Sequence, residues 1–281
     1  MADPHKPYAE VIGDPIDHSL SPLIHRFWLD QLGVTGDYHR KRCRHGELSA
    51  YLTERMSDPA WRGCNVTMPL KEEAARLLPS LDQPARSIGA VNCIARLGDR
   101  LLGLNTDVEG VAAALAGTEL AGQRAVVIGT GGAARAAVSE LSRRGANITI
   151  LARSAAKAEP LRELAEQLTI SPFAAATTIF PSAATMINAT PLGMRGETAM
   201  APKILTAFTH APRGALAFDM VYRPLATPFL AAAEAAGLRS ADGLTMLIGQ
   251  ARRPFELFFG APAPAEDAEL RFLLLHAADL P

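Results

Sequence analysis

Residues 124–154 read RAVVIGTGGAARAAVSELSRRGANITILARS, and no other stretch restricts the fold as much. An apolar run, a glycine cluster, an alanine-rich helical pattern and a second apolar run follow one another, which is the order of a βαβ unit. Two parallel strands cannot be joined by a hairpin, so a helix must cross over, and helices must then cover both faces of the sheet. More of the same texture follows, with strand ends at Met186-Ile187-Asn188 and Asp219 and a helix over Thr227–Ala236. This part of the chain predicts a doubly wound parallel sheet.

Inside the unit, Gly129-Thr130-Gly131-Gly132-Ala133-Ala134 matches G-x-G-x-x-[G/A]. A structural turn can use the same residues. Here the cluster follows a strand and opens a helix, the context a dinucleotide-binding turn requires. Glycines let the backbone approach a pyrophosphate, and the helix N-terminus offers N–H groups and partial positive charge. An NAD site usually carries a carboxylate at the end of the second strand for the ribose 2′-hydroxyl. This chain has Ala152-Arg153-Ser154 and then Lys157, with no carboxylate before Glu159. Ser154 would also serve as a helix cap beside two solvated cations. An arginine with a hydroxyl and a lysine nonetheless suits a 2′-phosphate, which a carboxylate would repel. NADP(H) is therefore the expected cofactor.

The chain of 281 residues is long enough for two domains. A net charge of −1 gives no sign of nucleic acid or an anionic membrane surface as partner, and the basic run His39–His45 reads as a solvated strand and loop. Three widely spaced cysteines without a CxxC pair, and histidines without HExxH spacing, point to neither a disulfide framework nor a metal site. No run of apolar residues is long enough to span a membrane, and the N-terminus lacks the apolar centre of a signal peptide, so a cytoplasmic location is expected.

The first hundred residues alternate strand-like and helix-like patterns. Strands are expected over Tyr8–Gly13, Asp37–Arg42 and Arg62–Met68, with a hairpin formed by Val91–Arg96 and Leu101–Asn105. Helices are expected from Ser21-Pro22 to Leu32, with the serine as cap, near Glu47–Met56, and from Pro69 onward. Past Gly243 the chain reads as helix again, through LTMLIGQARRPFELFF and EDAELRFLLLHAADL.

Several polar residues do not belong in such a core: Ser19, Ser21, Asn65, Thr67, Lys71, Asn92, Asn105 and Asp107. Each alone has an ordinary explanation as a cap or turn residue. As a set of hydroxyls, amides, one amine and one carboxylate, they suit a small polyhydroxylated ligand. A lysine can act as acid or base, or polarise a carbonyl during reduction, and a carboxylate beside it would hold the amine.

The segments VIGDPIDHSLSPLIH, NVTMPLK, GAVNCIARL, GLNTDVEG, GTGGAARA, INATPLGM, DMVYRPLATPFL and GLTMLIGQARRPFELF stand in the order found in shikimate dehydrogenases. The resemblance runs from residue 11 to residue 259. It implies NADPH-dependent, reversible reduction of 3-dehydroshikimate to shikimate in aromatic amino-acid synthesis. It implies an α/β fold of two α/β domains. One is a substrate domain with a mixed, mainly parallel sheet, over residues 1–107 with helices 244–281 returning to it. The other is a Rossmann-type doubly wound NADP-binding domain over 108–243. By the same resemblance, Lys71 and Asp107 match the catalytic pair. Ser19, Ser21, Asn65, Thr67, Asn92, Tyr222 and Gln250 match substrate-binding positions. Gly129, Gly131, Gly132 and Ala133 match the pyrophosphate turn, and Arg153, Ser154 and Lys157 the 2′-phosphate site. Met220 and Gly243 match positions that flank the nicotinamide, and Thr190 is a further cofactor candidate. A monomer or homodimer is expected. Ala152 replaces the family's usual asparagine, Cys93 a common threonine and Thr130 a commoner alanine; these departures bear on cofactor affinity more than on chemistry. The alternatives are a quinate/shikimate dehydrogenase of broader use, a non-catalytic NADP-binding regulator and a methylenetetrahydrofolate dehydrogenase-like enzyme. The serine pair Ser19 and Ser21 resembles shikimate-preferring members.

Overall fold

The computed structural model describes residues 6–265 and 268–279; Glu266, Asp267 and Leu280, read as helical from the sequence, lie outside them. The chain divides into two units. The first holds the residues up to Asp107 together with Gln250–Ala277, and the second holds Val108–Gly249.

The first unit opens with β1 (Tyr8–Gly13), α1 (Ser21–Leu32), β2 (Asp37–Arg42), α2 (Leu48–Met56) and β3 (Trp61–Val66). It continues with α3 (Lys71–Leu77), α4 (Gln83–Ile88), β4 (Cys93–Leu97) and β5 (Arg100–Leu104). The strands form a five-stranded sheet in the order β2-β1-β3-β4-β5. β1 runs parallel to β2 and β3, while β4 is antiparallel to β3 and β5, so β4 alone points the other way. The alternation of a strand appears in what each face buries. Ile12, Cys64, Val66 and Ile94 pack with Leu48, Leu52, Leu70 and Ala74 on one face. Ala9, Val11, Tyr38, Cys93 and Leu104 pack with Phe258 on the other. β2 lies at the sheet edge and exposes Arg40, Lys41 and Arg42, charges that blunt a free edge.

The second unit follows with α5 (Asp107–Ala114), β6 (Arg124–Ile128), α6 (Gly132–Arg143), β7 (Asn147–Ala152), α7 (Ala155–Ala158) and β8 (Leu168–Pro172). Next come α8 (Ala176–Ile179), β9 (Ala183–Asn188), α9 (Pro202–Ala207), β10 (Leu216–Asp219), α10 (Pro228–Ala235) and β11 (Arg239–Ala241). The order β11-β10-β9-β6-β7-β8 is parallel throughout. The chain winds outward from β6 in both directions, so the crevice at the carboxyl ends of β6 and β9 is the switch point where such sheets bind ligands. Val126, Ile128, Met186 and Ala217 pack with Ile204, Phe208, Phe229 and Leu230. The last helices are α11 (Gly243–Phe259) and α12 (Ala268–Asp279). The second boundary between units falls inside α11, between Gly249 and Gln250, where the sequence reading set it after residue 243.

Two helix starts differ from the sequence expectation. Ser21 is the first helical residue of α1 and not its cap; Leu20 holds the cap position without a side-chain bond, and Ser19 Oγ lies 3.4 Å from the Ser21 N–H. Pro69 does not open a helix either. The chain first turns, with the Leu70 N–H donating to the Thr67 carbonyl at 3.0 Å, and α3 begins at Lys71. Arg62–Met68 is a strand only to Val66.

Candidate active site

In the first unit the polar residues come from one end of the sheet. Ser19 and Ser21 follow β1, Asn65, Thr67 and Lys71 lie at or beyond the end of β3, Asn92 precedes the antiparallel β4, and Asp107 follows β5. Because β4 runs against its neighbours, its start lies at the same sheet end as their carboxyl ends. Residues far apart in sequence are thereby gathered.

Lys71 Nζ donates to Asp107 Oδ2 at 2.6 Å. The lysine side chain is 28% exposed and that of the aspartate 6%, so the pair has one wet and one dry member. Asp107 Oδ1 accepts from Asn92 Nδ2 at 2.8 Å, and the Asp107 N–H donates to Asn105 Oδ1 at 3.2 Å. Both carboxylate oxygens therefore meet donors, and the charge-assisted bond fixes the ammonium. An ammonium has three donors, so Lys71 keeps others for a ligand oxygen.

Asn92 is buried, and both of its amide hydrogens are engaged. Its amide also donates to Thr106 Oγ1 at 3.1 Å and accepts the Thr106 N–H at 2.7 Å. Thr106 Oγ1 in turn donates to the Gln250 carbonyl at 2.9 Å. The Gln250 side-chain Oε1 is buried with no hydrogen-bond partner among the described residues. An orphaned buried acceptor costs about 1–3 kcal/mol, a cost that a ligand hydroxyl would relieve. Asn65 Oδ1 accepts from Tyr38 OH at 2.7 Å while its Nδ2 lies 3.3 Å from the Asn92 carbonyl. Tyr38 is itself clamped by a face-to-face stack on His25, with ring centroids 4.1 Å apart. His25 is fully buried with neither ring nitrogen bonded among the described residues, and burial pushes its pKa down to about 3. Arg40 Nη2 and Nε donate to the Ser19 carbonyl at 2.6 and 3.0 Å, which holds the turn carrying Ser19 and Ser21. The basic run is exposed as expected, yet Arg42 pairs with Asp14 at 2.8 Å, and Arg40 acts on the site.

Thr106, Tyr38 and Arg40 were not singled out from the sequence. Thr106 carried a signal, lying between Asn105 and Asp107. Tyr38 and Arg40 act through contacts across the sheet that no local pattern announces. Tyr222 is half-buried and belongs to the second unit, whereas the other substrate candidates belong to the first, and burial raises its phenol pKa.

The second unit supplies the candidate cofactor residues. Gly129 has φ 121° and leaves no room for a side chain, since a Cβ would lie 2.9 Å from the Ala189 carbonyl oxygen. A Cβ on Gly131 or Gly132 would meet nothing within 4 Å, so the turn is open on that side. α6 begins beyond Gly131 with no side-chain cap, leaving its N-terminal N–H groups to a ligand, and Ala133 lies in its first turn. Ser154 holds the cap position of α7 without using its hydroxyl as a cap. Arg153 and Lys157 are exposed and form no ion pair among the described residues. An open glycine turn at the end of the first strand, with a hydroxyl and two unpaired cations at the second, fits a dinucleotide bearing a 2′-phosphate. Thr190 donates its N–H and hydroxyl to Asn188 Oδ1 at 3.1 and 2.6 Å. Met220 follows β10, and a Cβ on Gly243 would lie 2.5 Å from the Met220 carbonyl oxygen.

Comparison with known proteins agrees with this geometry. The family description "Shikimate dehydrogenase substrate binding domain" matches residues 11–94, and "Shikimate / quinate 5-dehydrogenase" matches residues 111–193. A shikimate dehydrogenase (NADP(+)) of Sphingopyxis alaskensis is 46% identical over 98% of this chain and 100% of its own length. One from Rhodopseudomonas palustris is 40% identical over 94% of each chain. The crystal structure of the Mycobacterium tuberculosis shikimate dehydrogenase superposes with a TM-score of 0.83 at 32% identity, covering 97% of this chain and 100% of that one. That of the Thermus thermophilus shikimate 5-dehydrogenase, in complex with NADP(H) and shikimate, gives 0.82 at 34% identity over 97% and 98%. With the polar sheet end in one unit and the glycine turn in the other, this agreement over nearly the whole length means that the chain belongs to the shikimate dehydrogenase family.

Proposed function

We propose that this chain catalyses the NADP-dependent, reversible reduction of 3-dehydroshikimate to shikimate, the step before shikimate phosphorylation. The observation that carries the reading is the Lys71–Asp107 bond of 2.6 Å in a partly dry setting, beside amides and hydroxyls suited to a polyol. The first unit is the substrate domain and the second, less its last turns, the NADP domain.

NADPH, when bound, supplies a hydride to the carbonyl carbon at C3. Lys71 gives a proton to the oxygen at that carbon and takes it back in the reverse direction. Asp107 holds the ammonium in place and stabilises it as a cation before transfer. Asn92 and Thr106 keep the carboxylate from turning away. Asn65, Thr67, Asn92 and Gln250 bind ring hydroxyls. Ser19 and Ser21 bind the substrate carboxylate at the start of α1, where the helix end favours an anion, and Tyr222 adds a hydroxyl. The cofactor is held by Gly129, Gly131, Gly132 and Ala133 at the pyrophosphate and by Arg153, Ser154 and Lys157 at the 2′-phosphate. Thr190, Met220 and Gly243 take the remaining contacts. A cytoplasmic monomer or homodimer is the form in which we expect it to work, and three free, buried cysteines suit a reducing compartment.

The test is substitution of the pair. Lys71→Ala should abolish most turnover with shikimate and NADP+ while leaving the dissociation constant for shikimate close to that of the unaltered protein. Retained turnover would remove Lys71 from the chemistry.

A further inference from the structure

At the carboxyl ends of β9 and β10, Asn188 and Asp219 are both fully buried. Asp219 Oδ1 accepts from Asn188 Nδ2 at 2.9 Å and from the Val221 N–H at 3.0 Å, and Oδ2 accepts from the Thr227 hydroxyl at 2.6 Å. The three donors come from three segments: the end of β9, the loop after β10 and the cap of α10. Asn188 is saturated as well. Its Oδ1 takes the Thr190 N–H and hydroxyl, and its second amide hydrogen goes to the Leu192 carbonyl at 3.2 Å.

Each end of this network leans on a glycine of the candidate cofactor set. The Ala189-Thr190 backbone and side chain stand where a Cβ on Gly129 would be, at 2.9 Å. The Met220-Val221 backbone stands where a Cβ on Gly243 would be, at 2.5–2.7 Å. A continuous chain of contacts thus leads from the pyrophosphate turn, through Asn188 and Asp219, to the loop expected at the nicotinamide.

We propose that Asp219 and Asn188 are positioning residues that hold the pyrophosphate side and the nicotinamide side of the cofactor site in one register. The proposal rests on the reading that this unit binds NADP(H). Burial pushes the Asp219 pKa up to about 6, so near neutral pH the carboxylate is ionised and can only accept, as all of its bonds require. A buried carboxylate with neutral donors alone is costly, and a merely structural role is met more cheaply by an apolar residue. Asp219 answers for the Met220 loop, and Asn188 answers for the Thr190 loop beside Gly129.

The experiment measures dissociation constants of NADPH and of 2′-phospho-ADP-ribose, which lacks the nicotinamide, for the full chain and its variants Asp219→Asn, Asp219→Ala and Asn188→Ala. In Asp219→Asn an amide N–H₂ replaces an acceptor, so one of the donors must turn away. We expect both Asp219 variants to bind NADPH about tenfold more weakly while 2′-phospho-ADP-ribose stays within about twofold. Asn188→Ala should weaken both ligands. Equal losses of both ligands in the Asp219 variants, or no loss in protein that still unfolds cooperatively, would overturn the proposal. Asp219→Asn keeps the side-chain volume and decides the matter if the alanine variant does not fold. Failure of the unaltered protein to bind either ligand would instead sink the cofactor reading beneath it.

Discussion

At the scale of single residues, the site works by giving each polar group a fixed partner and leaving a few groups open. Lys71 is held by Asp107, and Asp107 by Asn92, so the geometry survives until a ligand arrives. General acid–base groups contribute about 10²–10⁴ in rate, and Lys71→Met should lower kcat by that factor with a KM for shikimate changed little, measured by steady-state kinetics. Arg153 makes a different prediction. On the proposed reading its charge meets only the 2′-phosphate, so Arg153→Ala should raise the KM for NADP+ roughly tenfold and leave that for NAD+ nearly unchanged. His25 tests the support beneath Asn65. Its folded pKa of about 3 lies below the ordinary 6.5, so the neutral ring's stabilising contribution is complete above pH 6.5 and is lost as pH falls toward 3. Urea unfolding should therefore show stability falling from pH 7 to pH 5. His25→Phe, which keeps a ring against Tyr38 without a titrating nitrogen, should flatten that slope. An unchanged slope in the variant would assign the acid sensitivity elsewhere.

At the scale of elements, the parallel strands were legible because burial on both faces forces apolar runs: RAVVI, NITILA and LAFD are almost wholly buried. The edges were not. β8 is half polar and β11 has three residues, two of them exposed, so neither carries the pattern of a central strand. Helix starts were misplaced for a related reason. Serine and proline mark a start only when backbone geometry agrees: at Ser21 the helix begins one residue earlier than a serine cap would place it, and at Pro69 the preceding turn takes two residues more. The candidate site was legible where its residues crowd into short segments, as in NVTMPLK and NTD. Tyr38 and Arg40 act across strands, through bonds between residues distant in sequence, and one chain read alone contains no trace of them; Asp219 was legible only as a strand end. Gly243 shows how an element end can be fixed by its neighbour. A methyl there would meet Met220 and Val221 backbone, which cannot swing aside as a flexible side chain could. Gly243→Ala should cost about 1–3 kcal/mol in chemical unfolding and weaken NADPH binding with it; a neutral substitution would mean that the loop can yield.

At the scale of the whole molecule, the two units divide the labour: the first gathers hydroxyl, amide and amine groups at one sheet end, and the second offers an open glycine turn flanked by cations. No helix among the described residues is long and apolar enough to cross a membrane. If the division is right, hydrogen exchange should be slowed by NADP+ around residues 129–135, 153–157 and 188–221, and by shikimate around residues 19–21, 65–71 and 92–107. The central claim is a pairing of one acid with one cofactor, and it is tested most directly by absorbance at the reduced-nicotinamide band. Shikimate and quinate are each crossed with NADP+ and NAD+. The account predicts rapid reduction with shikimate and NADP+, and little in the other three mixtures. Turnover of quinate as fast as shikimate, equal use of NAD+, or silence in all four mixtures would contradict it.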